Sequence, residues 1–313
     1  MRRGKGSSRE MAAKSAWRSL TLIWVVVAGL VLALGALPAW AQGGSEVIGY
    51  SVDCGATDYL WSINLNTGVA TRIGYTGCAD IESLSFSATG VLYGVDDATD
   101  RLVRCSVSTG ACSSVGAIGV IFTDTGLAFS DDGSLWMSTD EPGPPFKFYR
   151  LDPNTGEATL IGPQGQEVTG LAFRSGVLYG LGGDYHDNLV EVNRTTGAAT
   201  PVGTLGAVTL IDGGIDFDGE GVLWGISDPE DKTNTVPSQI FTIDPEAGAA
   251  TLVATVTNSG GTPLAGFESL AIWPSEEEPP EEPFVPEGGT LLLLGSGLVG
   301  LSGYAAMRLK KRR

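Results

Sequence analysis

The chain has 313 residues, 18% charged and 42% hydrophobic, with 45 Gly, 16 Pro and a single His. That apolar content supports one large or two small domains, and Gly at twice its usual share favours a turn-rich fold over a helical bundle. Charge is divided sharply: residues 1–41 carry six bases and one acid, residues 308–313 carry five bases, and the residues between carry 35 acids and 8 bases. So acidic a body sets aside nucleic acid and anionic lipid heads as its partners, and one His argues against a His-rich metal site or a Ser-His-Asp hydrolase.

The first segment, MRRGKGSSRE continuing to Lys14 and Arg18, is basic. An apolar run follows, LTLIWVVVAGLVLALGAL (20–37), and then Ala39-Trp40-Ala41 before Gln42. A basic n-region, an apolar h-region and an A-x-A site predict a secretory signal peptide over 1–41, cut between Ala41 and Gln42. The apolar run is near spanning length, so an uncleaved anchor is the alternative. Either way the body is exported.

The body, 46–274, is a repeat. One phrase recurs as SLSFSATGVLYGV (83–95), GLAFSDDGSLWMS (126–138), GLAFRSGVLYGL (170–181) and GIDFDGEGVLWGI (214–226), with a partial copy SLAIWP (269–274). A second recurs as YLWSINLNTGVATRIG (59–74), RLVRCSVSTGACSSVG (101–116), KFYRLDPNTGEATLIG (147–162), NLVEVNRTTGAATPVG (188–203) and QIFTIDPEAGAATLVA (239–254). Each phrase is two short alternating segments joined by a Gly-containing turn, the signature of a hairpin. One repeat is therefore four antiparallel strands, a to d, and units of about 44 residues with that content are propeller blades. The first copy lacks strand a and the last is a lone strand a. Together they predict a composite blade that closes an all-β, five-bladed propeller and removes its open edges. The Leu151-Asp152-Pro153-Asn154-Thr155-Gly156-Glu157-Ala158-Thr159 hairpin resembles bacterial propeller repeats of unassigned function, which implies a fold and not an activity.

The four cysteines are Cys54, Cys78, Cys105 and Cys112. An even count in an exported chain points to disulfides. In the repeat alignment Cys105 takes the place of Ile63, Leu151, Val192 and Ile243, and Cys112 the place of Ala70, Ala158, Ala199 and Ala250. Both replacements fall in one hairpin, so Cys105–Cys112 is the expected bridge. Cys54 and Cys78 fall in loops that open on one propeller face and form the second expected pair. Four inert thiols are the alternative.

The b–c loops, at 96–100, 139–145, 182–187 and 227–236, hold Asp96, Asp97, Asp100, Asp140, Glu141, Asp184, Asp187, Asp228, Glu230 and Asp231. Carboxylates are the hard oxygen ligands of calcium, and a cationic or sugar ligand would also suit them; the alternative is a solvated turn surface. Glu82 and Glu268 occupy one repeat position, on neighbouring blades of a closed ring, where the other blades have Thr125, Thr169 and Gly213. Two carboxylates at a channel mouth can share a cation or a proton. Asp216 is the third candidate, because its equivalents Ser85, Ala128, Ala172 and Ala271 are small and should face the channel. The Asp216-Phe217-Asp218-Gly219-Glu220-Gly221 stretch lacks calcium-loop spacing and reads as an a–b turn. His186 has no identifiable partner nucleophile in the sequence. Tyr93, Trp136, Tyr179 and Trp224 recur at one place in strand b, a periodicity that predicts packing between blades rather than a sugar platform.

The C-terminal end has three parts: an acidic Pro-rich linker (275–289), an uncharged TLLLLGSGLVGLSGYAAM run (290–307) and the basic RLKKRR (308–313). Such a run can form a transmembrane helix with the basic cluster on the cytoplasmic side. This end resembles the PEP-CTERM sorting signal of Gram-negative bacteria, through Val285, Pro286 and Glu287, the Leu-rich run and the basic cluster. Gly288 stands where the motif has its second Pro. The resemblance implies an exosortase-like processing enzyme as partner and an exopolysaccharide setting; a plain membrane anchor is the alternative.

The expected function is that of a non-catalytic binding or structural protein of the cell envelope, surface or extracellular matrix, with exopolysaccharide or an envelope protein as partner. No motif demands a cofactor, and calcium is the cation its carboxylates would take. The alternatives are a propeller lyase or glycosidase, acting on polysaccharide through Glu82, Glu268 and Asp216 with or without calcium, and a membrane-anchored interaction scaffold.

Overall fold

Each repeated phrase becomes an antiparallel hairpin, strand for strand. The computed structural model describes residues 46–273 apart from 55–56, 141–145, 184–185, 209 and 231–234. The first blade is Ile81–Phe86, Leu92–Asp96, Arg101–Cys105 and Cys112–Ala117, its strands a to d from the channel outward. The second is Thr125–Phe129, Leu135–Thr139, Lys147–Leu151 and Ala158–Pro163. The third is Gly170–Arg174, Val177–Gly182, Asn188–Val192 and Ala199–Thr204. The fourth is Asp212–Phe217, Leu223–Asp228, Gln239–Ile243 and Ala250–Thr255.

The closing blade takes Ile48–Val52, Tyr59–Asn64 and Val69–Tyr75 from one end of the body and Ala271–Ile272 from the other. Gly49 pairs with Ile272 and Tyr50 with Ala271. The composite blade predicted from the repeats is therefore formed, and the five strands a touch one another in a closed cycle. One feature goes beyond the repeat: Thr257–Asn258 adds a short parallel strand outside Val69–Tyr75.

Burial follows position in the blade. Ile81–Phe86 and Leu223–Asp228 are buried throughout, whereas the outer Cys112–Ala117 alternates between half-buried and exposed. Small and apolar residues therefore fill strands a and b, and Ser and Thr are tolerated in strand d. The apolar residues form five clusters, one at each blade-to-blade interface. In three interfaces a strand-b tyrosine meets the strand-a Phe of the next blade: Tyr50 to Phe86 at 5.4 Å, Tyr93 to Phe129 at 5.1 Å and Tyr179 to Phe217 at 5.6 Å. Trp136 and Trp224 are buried. The aromatic row is packing, as its periodicity predicted.

The Thr-Gly-x-Ala-Thr hairpin is a latch between blades. All five c–d pairings carry a bulge at the same place, which tilts the outer strand across its neighbour. In the first four junctions the Gly after the bulge lies against the turn Gly of the next blade: Gly74 on Gly110, Gly116 on Gly156, Gly162 on Gly197 and Gly203 on Gly248. A Cβ on Gly116 would land inside the carbonyl oxygen of Thr155. The amide after the turn then donates across the junction: Cys112 to Thr76 O at 2.7 Å, Ala158 to Ile118 O at 3.1 Å, Ala199 to Gln164 O at 2.9 Å and Ala250 to Leu205 O at 3.2 Å. At the closing junction Ala254 stands in the Gly position. The chain runs on as Thr257–Asn258 instead, and Thr257 donates to Gly68 O at 2.9 Å.

Cys105 and Cys112 are directly opposite in their hairpin, with Cα atoms 4.0 Å apart, and form a disulfide. The second expected pairing is corrected: Cys54 and Cys78 are both thiols. They are held by different elements, since the Cys54 amide donates to Gly266 O at 2.6 Å and the Cys78 amide to Thr76 Oγ1 at 3.2 Å. Burial first, then nearby carboxylates, push both thiols up to about 12, which keeps them protonated and unreactive.

Among the described residues no helix is long and apolar enough to cross a membrane. The 1–41 signal segment with its Ala41/Gln42 site, the 275–289 linker, the 290–307 run, the 308–313 cluster, and Val285, Pro286, Glu287 and Gly288 lie outside the described residues.

Candidate functional site

Strand a of each blade starts at one mouth of the channel, and the residue at that start decides what the mouth presents. Going round the ring these residues are Glu268, Glu82, Thr125, Thr169 and Gly213. Glu82 and Glu268 are buried, 6% and 7% exposed, and the closed ring makes their blades neighbours. Three further carboxylates join them from positions one or two residues earlier: Asp80, Asp124 and Asp212. One oxygen each of Asp80, Glu82 and Glu268 lie within 4.8 Å of one another, and so do those of Glu82, Asp124 and Asp212.

Glu82 Oε2 is buried and has no hydrogen-bond partner, and the same holds for the Thr125 hydroxyl at the equivalent position of the next blade. Asp212 Oδ1 accepts from the Gly213 amide at 2.6 Å, and the Thr169 hydroxyl donates to the Gly213 carbonyl at 3.3 Å. Buried like charges raise one another's proton affinity. Burial, then Glu268, hold the Glu82 carboxyl well above the ordinary range. Burial, then Asp212, do the same to Glu268. Burial, then Asp124, raise Asp212 against the opposing pull of the Gly213 amide and the Thr169 hydroxyl. The mouth thus favours the protonated form of these three carboxyls, and to a cation it offers hard oxygen donors of the kind calcium takes.

Asp216 is not among these carboxylates, and both of its oxygens are engaged elsewhere. Its Oδ2 accepts from the Ile272 amide at 2.8 Å and its Oδ1 from the Phe217 amide at 2.8 Å. It turns sideways into the neighbouring strand a, because that edge carries an amide its carboxylate can reach. Ser85, the same repeat position, does likewise with the Phe129 amide at 3.1 Å. The Asp218 turn is the ordinary a–b hairpin expected. Asp218 Oδ1 accepts from the Glu220, Gly221 and Val222 amides, and Oδ2 from Trp224 Nε1.

The acidic b–c loops are chiefly turn structure. Asp96 accepts from Thr99, Asp140 from the Thr123 amide and hydroxyl, Asp187 from the Leu210 amide, and Glu230 from Thr235 and Val236. Glu141, Asp184 and Asp231 lie outside the described residues. His186 sits with Nδ1 3.3 Å from the Gly183 carbonyl, within its own loop. Asp80, Asp124 and Asp212 are not marked by the repeat itself, since they stand at offset positions rather than in one repeat slot. The signal was available: each lies within two residues of the slot that holds Glu82 and Glu268.

No family model matches the chain, and no curated protein matches it. Among solved structures, a propeller in a nidogen/laminin complex is 15% identical over 74% of this chain and 87% of its own, with a TM-score of 0.46. A gluconolactonase-like protein is 16% identical over 75% and 92%, with a TM-score of 0.46. A protein of unknown function from Bacteroides thetaiotaomicron is 20% identical over 56% and 52%, with a TM-score of 0.43.

Proposed function

We propose that this chain is an exported propeller that binds a hard divalent cation, calcium by the chemistry of its donors, at the mouth of its channel. It acts in the cell envelope or extracellular matrix as a binding module rather than a catalyst. The observation that carries the reading is the buried, unpartnered Glu82 Oε2 among the Asp80, Glu268, Asp124 and Asp212 carboxylates. A buried carboxylate oxygen without a partner is costly, and a cation relieves that cost together with the repulsion around it. Export rests on the signal segment, and delivery to the surface on the PEP-CTERM-like end and an exosortase-like enzyme. A matrix polysaccharide or an envelope protein is the partner in this reading.

The test is thermal unfolding of the full chain in chelator and then in calcium. At calcium a hundredfold above the dissociation constant, a single site adds about 2.7 kcal/mol and raises Tm by about 5–10 °C for a body of this size. Glu82→Gln should lose most of that rise while keeping the strand signature in circular dichroism. No rise in the wild-type chain overturns the reading.

A second reading has one observation in its favour. Glu82 and Glu268 are neighbouring buried carboxyls whose proton affinity is raised by burial and by nearby carboxylates, the direction a general acid in a polysaccharide lyase or glycosidase needs. Turnover on a polysaccharide panel that vanishes in Glu82→Gln would favour it.

A further inference from the structure

The carboxylates at the channel mouth fall into two trios that share one member. Asp80, Glu82 and Glu268 form one, and Glu82, Asp124 and Asp212 the other, each with its donor oxygens within 4.8 Å of one another. A cation held at about 2.4 Å by its oxygens gathers donors no more than about 5 Å apart. Each trio meets that limit, and the five residues divide into these two sets rather than making one. The shared residue is also the one with a buried, unpartnered oxygen, and a carboxylate has two oxygens to give.

We propose that the mouth holds two divalent cations side by side, bridged by Glu82, with Asp80 and Glu268 completing one position and Asp124 and Asp212 the other. This rests on the cation-binding reading and specifies it. Charge supports it: a second divalent cation offsets carboxylates that a single one would leave either unneutralised or protonated. The donor set supports it too. The Thr125 hydroxyl, at the repeat position of Glu82 in the next blade, is likewise buried and without a hydrogen-bond partner. The Gly213 amide fixes the Asp212 carboxylate, as donors around a metal ligand do. The two positions are not equivalent: the first joins the closing and first blades, and the second reaches across to the fourth.

The experiment is a stoichiometry on the full chain, stripped with chelator and titrated with calcium at about 0.15 M salt to screen weak surface binding. Two calcium ions per chain are expected. One per chain overturns the bridged pair and leaves the single-cation reading standing; none overturns both. Mn²⁺ as a spin probe adds a readout that a count alone lacks. Two Mn²⁺ sharing a carboxylate give an exchange-coupled spectrum, and two uncoupled Mn²⁺ overturn the bridge. Asp124→Asn with Asp212→Asn should bind one calcium and lose the coupling; two ions retained in that variant overturn the assignment of the second position.

Discussion

The Asp216 carboxylate in the fourth blade accepts a 2.8 Å hydrogen bond from the Ile272 amide in the strand that closes the ring. That strand pairs over only two residues, Ala271–Ile272, and the Asp216 bond adds to the Ser269 hydroxyl on the Val52 amide and the Phe267 bridge to Asp53 in holding it. Asp216→Ala leaves the Ile272 amide without its acceptor and should cost about 1–3 kcal/mol in denaturant unfolding. Ser85→Ala removes the same bond at a junction continuous in sequence and should cost less, about 0.5–1.5 kcal/mol. Equal losses would show that the bond has no special role in closure.

Gly116 and Gly119 are three residues apart and should respond very differently to alanine. A Cβ at Gly116 meets the backbone of Thr155 in the next blade, while Gly119, at φ +83°, has open space around it. Gly119→Ala should cost about 1–2 kcal/mol, the strain of a left-handed residue. Gly116→Ala must push two blades apart and should exceed that or abolish folding. A Gly116→Ala chain as stable as wild type would mean that the junction between blades is not tight.

The Cys105–Cys112 bridge closes a short loop, seven residues apart in sequence. On the chain-entropy model, removing it costs about 2.5 kcal/mol. The other blades supply the natural replacement, since Ile63 with Ala70 and Ile243 with Ala250 occupy the same paired positions. Cys105→Ile with Cys112→Ala should therefore fold, with a loss near that figure and no further sensitivity to reductant. Unchanged stability would mean the bridge adds nothing to the hairpin.

Nearly all of the fold was legible because every blade repeats the same solution. The strand order, the composite blade and the facing of Cys105 and Cys112 all follow from aligning phrases of equal spacing. The parallel strand Thr257–Asn258 was not legible, because it occurs once and repairs a junction where Ala254 replaces Gly. The site was half legible. Glu82 and Glu268 stand at one repeat position, whereas Asp80, Asp124 and Asp212 reach the mouth from offset positions that a strict alignment ignores. The Asp216 bond to Ile272 was not legible, because a small-residue slot suggests only a channel-facing position. In the ring the same slot also faces the next strand, where an amide is available.

The two ends of the chain make a separate prediction. If the PEP-CTERM-like end is processed, the intact mass of protein recovered from the surface of its host should fit a chain that starts at Gln42 and ends near Pro286. Gly288→Pro, which restores the motif's second proline, should preserve or increase the processed fraction. A mass that still includes Arg313 would mean a membrane-held propeller, and the matrix role would fall.

Acidity should stabilise the cation-free protein. The Asp216 and Asp58 carboxyls are both pushed up to about 7, burial being the first cause in each, despite the amide bonds that each accepts. A carboxyl whose pKa is higher in the folded state binds its proton more tightly there. Stability is then gained as pH falls from about 7 toward the unfolded value near 4, and lost as pH rises through the same window. The opposite sign holds for Asp132, which two serines hold down to about 2, but its stability is lost only below about pH 4. Relief of repulsion across the acidic body acts in the same sense as Asp216 and Asp58. In chelator, Tm should therefore rise steadily from pH 8 to pH 5. Asp216→Asn should flatten part of that slope, because an amide keeps an acceptor oxygen for Ile272 without a charge to bury. A Tm that falls over the same range would mean that these carboxyls are ionised in the folded chain, with water or a residual cation offsetting their burial.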